Sequence, residues 1–344
     1  MPWTMPAETA PHERMWMAFP PSASYLCETP EKADLSRLTW AAVAHAVSEF
    51  EPVTMLADPA DLEVARRYLS LAVELVAADL DDAWMRDIGP SFVLDEQGRL
   101  GAVEWTFNGW GQQPWASWGK DSRVNRSVAE LAGAEGHPST LVNEGGAIHV
   151  DGQGTVLVTE TVQLDPFRNP DLSKADVEAE LARTIGATRT IWLPRGLTRD
   201  NGEFGTRGHV DMVATIPAPG QLLVHRQDDP RHPDHAVSRQ ILHVLRDSRD
   251  ASGRPWTITE VPAPRTVRDD EGWVDYSYIN HVVVNGGVIG CAFDDPHDDA
   301  ARDLLAAAYP GRDVVMLDAR PVFAGGGGIH CITQQQPVSR PPGD

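Results

Sequence analysis

Basic residues, cysteines and uninterrupted apolar runs are scarce in this 344-residue sequence, and each shortage argues against a class of function. Lys and Arg number 29 against 50 Asp and Glu, a formal net charge of −21. That balance argues against a nucleic-acid or anionic-membrane partner and suits capture of a small cation. An acidic surface also serves plain solubility, so the charge permits a cationic ligand without establishing one. The three cysteines, Cys27, Cys291 and Cys331, are too few for a disulfide framework, and no Cys-x-x-Cys pair suggests a structural zinc site. Free thiols in a reducing compartment fit best. No stretch approaches the roughly 18 apolar residues of a membrane span, and the N-terminus has neither the basic start nor the apolar run of a signal peptide. The expectation is a cytoplasmic protein with no membrane or nucleic-acid partner; a homo-oligomer is left open.

What the sequence does have is a recurring pattern. Asp58-Pro59, Asp165-Pro166, Asp229-Pro230 and Asp295-Pro296 each place a carboxylate before a proline suited to a helix's first turn. After Asp165-Pro166 the helix is delayed to a capping box at Ser173 and Asp176. Further helices are expected near Asp34 to Phe50 and Asp121 to Leu131. Between these starts lie paired strands: Ser91 to Trp105 around Asp95 to Gly98, Gly146 to Glu160 around Asp151-Gly152, His209 to His225 around Pro219-Gly220, and Ile279 to Phe293 around Asn285-Gly286. Each is followed by a helix and a short apolar strand such as Thr190 to Leu193 or Val314 to Leu317. A strand–strand–helix–strand unit thus repeats about every 50 to 70 residues. About five units without a linker predict one α/β domain over residues 1–344, with the modules forming a ring or array.

The opening of each unit carries polar residues that a fold does not need. These are Trp84-Met-Arg-Asp87, Asn143-Glu144-Gly-Gly146, Gly208-His209-Val-Asp211, Tyr278-Ile-Asn280 and Gly325-Gly-Gly-Gly328-Ile-His-Cys331. If the modules close into a ring, these openings converge. Asp87, Glu144, His209, Asp211 and Cys331 then share one pocket, beside Trp84, Asn280 and Gly328. A cysteine after four glycines has an accessible backbone and a strong nucleophile once ionised. A histidine can carry protons, and a glutamate can orient it. Two further aspartates would repel an oxyanion and raise the thiol pKa, unless the substrate is itself a planar cation. A guanidinium offers paired N–H donors that carboxylates clamp, and its charge favours the thiolate. Cys27 and Cys291, lacking such a loop, read equally as inert small hydrophobes. The glycine run lacks the Gly-Lys-Ser/Thr ending of a phosphate loop, and no ligand spacing supports a metal at His209, His330 and Cys331. No metal and no cofactor are expected.

These stretches are similar to the agmatine deiminase family, also called the bacterial-type peptidyl-arginine deiminases, of the pentein superfamily. The resemblance runs from Met5-Pro-Ala-Glu8 and Trp16-Met-Ala-Phe-Pro20 through Trp84 to Asp87, Glu144 to Gly152, Ile191 to Gly196, Gly208 to Asp211 and Ser277 to Asn280. It ends at Gly327-Gly-Ile-His-Cys-Ile-Thr-Gln-Gln-Gln-Pro337. It implies a five-module α/β-propeller with pseudo-fivefold symmetry. It also implies attack by Cys331 on a guanidinium held by Asp87 and Asp211, with His209, oriented by Glu144, moving the protons. Agmatine would give N-carbamoylputrescine and ammonia. Arginine, a C-terminal peptidyl-arginine, another guanidino metabolite, amidino transfer and a non-catalytic guanidine or polyamine binder are the alternatives.

Three departures bear on the substrate. Gly205 stands where the family's acidic residue, a partner for a distal amine, is usual, and Arg207 stands where asparagine is usual. Ile88 and Met212 replace a small residue and an asparagine. Glu203 could supply the amine partner from a shifted loop, whereas Arg207 could welcome a carboxylate.

Overall fold

The computed structural model describes residues 2–202 and 205–340. Strands β1 (His12–Ala18), β2 (Val53–Ala57) and β3 (Val73–Ala77) lead the chain, with the helix Pro30–Ser48 between the first two. Four units follow. They comprise β4 (Ser91–Leu94), β5 (Leu100–Thr106) and β6 (Glu135–Val142); β7 (Ile148–Val150), β8 (Thr155–Thr159) and β9 (Arg189–Leu193); and β10 (Ala214–Thr215), β11 (Gln221–Arg226) and β12 (Thr257–Pro262). After a small hairpin of β13 (Arg268–Asp269) and β14 (Gly272–Trp273) come β15 (Val282–Val284), β16 (Gly287–Ala292) and β17 (Asp313–Asp318). The last strand, β18 (Thr333–Pro337), returns to β1.

One pairing rule runs through the four three-stranded sheets. The first strand pairs antiparallel with the second, and the second pairs parallel with the third across a helix. The helices Val124–Ala132, Lys174–Ile185, Asp234–Asp247 and Asp298–Ala308 make these crossovers, as parallel neighbours require. In the remaining sheet β18 pairs antiparallel with β1, which pairs parallel with β2, so the two ends of the chain build one sheet together. The α/β alternation is the expected strand–strand–helix–strand unit. The second strands are the most buried: β8, Thr-Val-Leu-Val-Thr, is wholly buried. Among the described residues, no helix is long and apolar enough to cross a membrane.

The capping box at Ser173 and Asp176 forms as expected, opening the helix Lys174–Ile185. The delay after Asp165-Pro166 is as expected, but the pairs at Asp58, Asp229 and Asp295 do not open their helices directly. The carboxylates of Asp58, Asp165, Asp229 and Asp295 accept from the peptide N–H two residues on, at 3.1, 2.9, 2.9 and 2.9 Å. They close Asx turns, and the helices begin later, at Leu62, Lys174, Asp234 and Asp298. An Asp side chain serves a local turn as readily as a helix start, and composition does not separate the two.

What places the site is the segment before each antiparallel hairpin. The turns Met85–Ile88, Gly145–Ala147, Val210–Met212 and His330–Ile332 precede β4, β7, β10 and β18, and Ser277 to Asn280 turns before β15. Each is one short loop of helix between a connection and a buried strand.

Candidate active site

These five turns bring together most of the residues singled out from sequence. Cys331 Sγ lies 3.3 Å from Asn280 Nδ2, 3.4 Å from the Gly328 N–H and 3.6 Å from Asp211 Oδ2. Asp87 accepts from the Gly146 N–H on Oδ1 at 3.0 Å and from the Trp110 indole on Oδ2 at 2.8 Å. His209 Nδ1 stands 3.8 Å from Asp87 Oδ1, and its Nε2 donates to Glu144 Oε2 at 3.2 Å. All five groups are buried.

Two glycines make the convergence sterically feasible. A Cβ on Gly146 would sit 2.5 Å from His209 Nδ1 and 3.0 Å from both Asp87 Oδ1 and Asp211 Oδ2. Only a residue without a side chain lets His209, Asp211 and Asp87 close around this point. A Cβ on Gly328 would overlap the Asn280 amide. Trp84, Trp110 and Trp115 wall a narrow pocket whose floor is Asp87 and Cys331. The Trp84 indole donates to the Tyr25 hydroxyl at 3.0 Å.

Four supports were not anticipated. Arg168, itself buried, donates to Glu144 Oε1 at 2.9 Å and to Asp165 at 2.8 Å, so Glu144 is clamped between a guanidinium and an imidazole. Trp110 reaches Asp87 from a left-handed backbone (φ 55°), a conformation a bulky residue rarely adopts. Asp200 accepts from the His209 peptide N–H at 2.9 Å. His330 lies between two carboxylates, with Nδ1 2.8 Å from Asp211 Oδ2 and Nε2 2.8 Å from Glu8 Oε1. An imidazole with an acceptor on each nitrogen needs both protons. Only Trp110, between Gly109 and Gly111, carried a local signal in the sequence; the others read as ordinary charged residues.

The electrostatics follow from burial acting against this network. Burial, with Glu144 and Asp211, outweighs His209 and holds Asp87 up at about 6. Burial would lower His209, but Asp87, Glu144 and Asp211 overcome it and raise the imidazole to about 9. Burial would raise Asp211 and Glu144, but His330 lowers the first and Arg168 and His209 lower the second. Burial, Asp211 and Asp87 together push the Cys331 thiol well above its ordinary range. The resting site thus holds a neutral thiol, an imidazolium and carboxylates. His209 Nδ1 and Asp211 Oδ1 are buried without a hydrogen-bond partner. A buried donor and a buried acceptor left unpaired in one cluster are the kind of groups that need a structural or functional account.

Three expectations concerned the substrate's far end. Arg207 adopts φ 79° and brings Nε within 3.9 Å of Asp165 Oδ2; it does not line the pocket. Glu203 lies outside the described residues. Gly205 cannot be exchanged for an acid here, because a Cβ would fall on the Asp200 carbonyl oxygen.

The fold and site define a class: an α/β array of strand–strand–helix–strand units with a buried thiol beside two aspartates and an imidazole held by a buried glutamate. The sequence matches the family described as Porphyromonas-type peptidyl-arginine deiminase over residues 4–337. The chain belongs to that family. It is 55% identical to a Streptomyces coelicolor protein provisionally named as an agmatine deiminase, over 98% of this chain and 99% of that one. It is 38% identical to the agmatine deiminase of Stutzerimonas stutzeri, over 97% and 95%. Among solved structures, the agmatine deiminase of Enterococcus faecalis superposes with a TM-score of 0.89 at 32% identity, covering 97% of this chain and 96% of that one.

Proposed function

We propose that this protein is an agmatine deiminase that hydrolyses the guanidinium group through a cysteine-linked intermediate. The observation that carries the reading is the buried cluster in which Cys331 Sγ lies 3.6 Å from Asp211, while His209 Nδ1 and Asp211 Oδ1 are left without hydrogen-bond partners. The relatives' names supply the substrate.

The chemistry follows from the charges. Cys331 is a neutral thiol between two aspartates until a cation enters. A guanidinium seated on Asp87 and Asp211 offsets their charge, and the thiol releases its proton to solvent. The thiolate forms an S–C bond to the guanidinium carbon. His209, protonated in the resting site, gives its Nδ1 proton to the departing nitrogen, the C–N bond breaks and ammonia leaves. The S-linked amidinium that remains is cationic, so the aspartates still hold it. Neutral His209 then takes a proton from water, the hydroxide adds to the carbon and the C–S bond breaks. The ureido product, N-carbamoylputrescine, leaves once its carbonyl has lost its extra proton. Glu144, fixed by Arg168, keeps His209 Nε2 bonded and Nδ1 aimed inward throughout. Trp84, Asn280 and Gly328 shape the pocket around the sulfur.

The shared pairing rule of the sheets, with the termini joined through β18 and β1, supports a single domain organised as a five-module pentein propeller with pseudo-fivefold symmetry. Unpaired thiols at Cys27, Cys291 and Cys331 suit the cytoplasm. The partner is a small cationic guanidine, with a homo-oligomer the assembly to test by light scattering. The deciding experiment is ammonia release from agmatine, arginine, a C-terminal-arginine peptide and guanidino acids. Preference for agmatine supports the reading; turnover of none of them, with Cys331 reduced, overturns it.

A further inference from the structure

Outward from the thiol pocket lies a larger cavity of about 680 Å3, and the two share Tyr25, Trp115, Gly205 and Gly326 as walls. Its ionisable groups are nearly all engaged elsewhere. Lys32 pairs with Glu28 at 3.0 Å, and Arg199 forks to Asp269 and Glu271 at 2.5 Å each. Asp200 accepts from the Thr206 N–H and hydroxyl and from the His209 N–H.

Asp275 differs. It follows the hairpin of β13 and β14, only 8% exposed, and lines this cavity. Among the described residues no side chain donates a hydrogen bond to its carboxylate or forms an ion pair with it. Its only backbone bond is from its own peptide N–H. A carboxylate this buried and this poorly supplied with donors is costly unless something occupies the cavity beside it. Burial and the nearby Asp200 outweigh Arg199 and raise it to about 7, so a cation seated directly on it would restore its charge. Tyr25 and Trp115 at the shared wall offer apolar surface to a methylene chain running between the two spaces.

We propose that Asp275 is a specificity-determining residue: it pairs with an ammonium at the far end of the substrate, so the enzyme selects amine-bearing guanidines. The assignment rests on the reading that Cys331 attacks a guanidinium in the inner pocket. It goes beyond that reading because the inner pocket treats every guanidine alike. Among the described residues of the outer cavity, Lys32 and Arg199 are ion-paired with other carboxylates, whereas Asp275, although within the field of Arg199, has neither a side-chain hydrogen bond nor an ion pair.

The test compares agmatine with n-butylguanidine, which has the same guanidinium but an uncharged tail. For the wild-type enzyme, kcat/KM for agmatine should exceed that for n-butylguanidine. In Asp275→Asn the KM for agmatine should rise roughly 10- to 100-fold, the worth of one charge-assisted bond, with little change in kcat. Turnover of n-butylguanidine should be unaltered, which also reports correct folding. Asp275→Ser is the second variant should the first not fold. An unchanged agmatine to n-butylguanidine ratio in a folded variant overturns the role of Asp275 and leaves the deiminase reading intact. A wild-type enzyme that releases ammonia from neither compound overturns both.

Discussion

The thiol pocket and the cavity outside it are built by opposite means. In the inner pocket each polar group is fixed by a buried partner from a different segment: Glu144 by Arg168, Asp211 by His330, Asp87 by Trp110 and the Gly146 peptide, His209 by Asp200. The result is a set of strongly displaced proton affinities held in place before any ligand arrives. In the outer cavity the ion pairs are partly exposed and lie on loops or at a helix start, as with Arg199–Glu271 and Lys32–Glu28. Such pairs contribute about 0–1 kcal/mol each. The contrast teaches that the reaction is carried by turns anchored to buried strands, whereas the choice of guanidine is left to surface loops. Changes inside should act on kcat, and changes outside on KM.

The largest effect is expected at the sulfur. Cys331→Ser should cut ammonia release from agmatine by about 10^4-fold or more, since a hydroxyl lacks the thiolate's nucleophilicity. A loss of only about tenfold would remove Cys331 from the chemistry. Asp211→Asn comes next. It deprives both the substrate and His330 of a buried carboxylate, and kcat/KM should fall roughly 100- to 1000-fold, about 3–4 kcal/mol. An effect confined to KM at a few-fold would mean the inner pocket behaves like the outer one.

A pH profile sharpens the comparison further. His209 must be protonated to release ammonia and is raised to about 9, so kcat/KM should fall as pH rises through about 9. Asp87 must be ionised to hold the cation and is raised to about 6, so kcat/KM should also fall as pH drops through about 6. Glu144→Gln removes one of the charges that raise His209, and the alkaline limb should move to lower pH. A limb that stays in place would detach His209 from it. The smallest effect belongs to Arg207→Asn, which keeps a residue tolerant of φ 79° and loses only a long contact to Asp165. Its KM for agmatine should change less than about fivefold. A larger change would bring Arg207 into the substrate's path.

Much of the inner pocket was legible in the sequence because its residues stand at the same place in successive repeats. Asp87, Glu144, Asp211 and Asn280 each belong to the turn before an antiparallel hairpin, and Cys331 to the turn before the last strand, positions that hydrophobic alternation and turn residues reveal. Their supports were not legible. Arg168 sits in a loop after the Asp165 Asx turn, and Glu8 lies 322 residues from the histidine it meets. Nothing local distinguishes either from a solvated charge. The Asp-Pro pairs at Asp58, Asp229 and Asp295 failed as direct helix starts for a related reason: the same local bonds satisfy a turn.

The sequence by itself determined the repeating unit, the family and the residues that carry the reaction. Periodicity, turn residues and the glycines before Cys331 are short-range properties, written in neighbouring positions. Tertiary structure alone decided the state of those residues. A neutral thiol, a charged His209 and an ionised Asp211 follow from burial and from charges brought close by turns distant in sequence. It also decided that Arg207 turns to Asp165 and that Asp275 faces the outer cavity. Coulomb interactions depend on distance in space, and in a folded chain that distance is set by packing rather than by residue number.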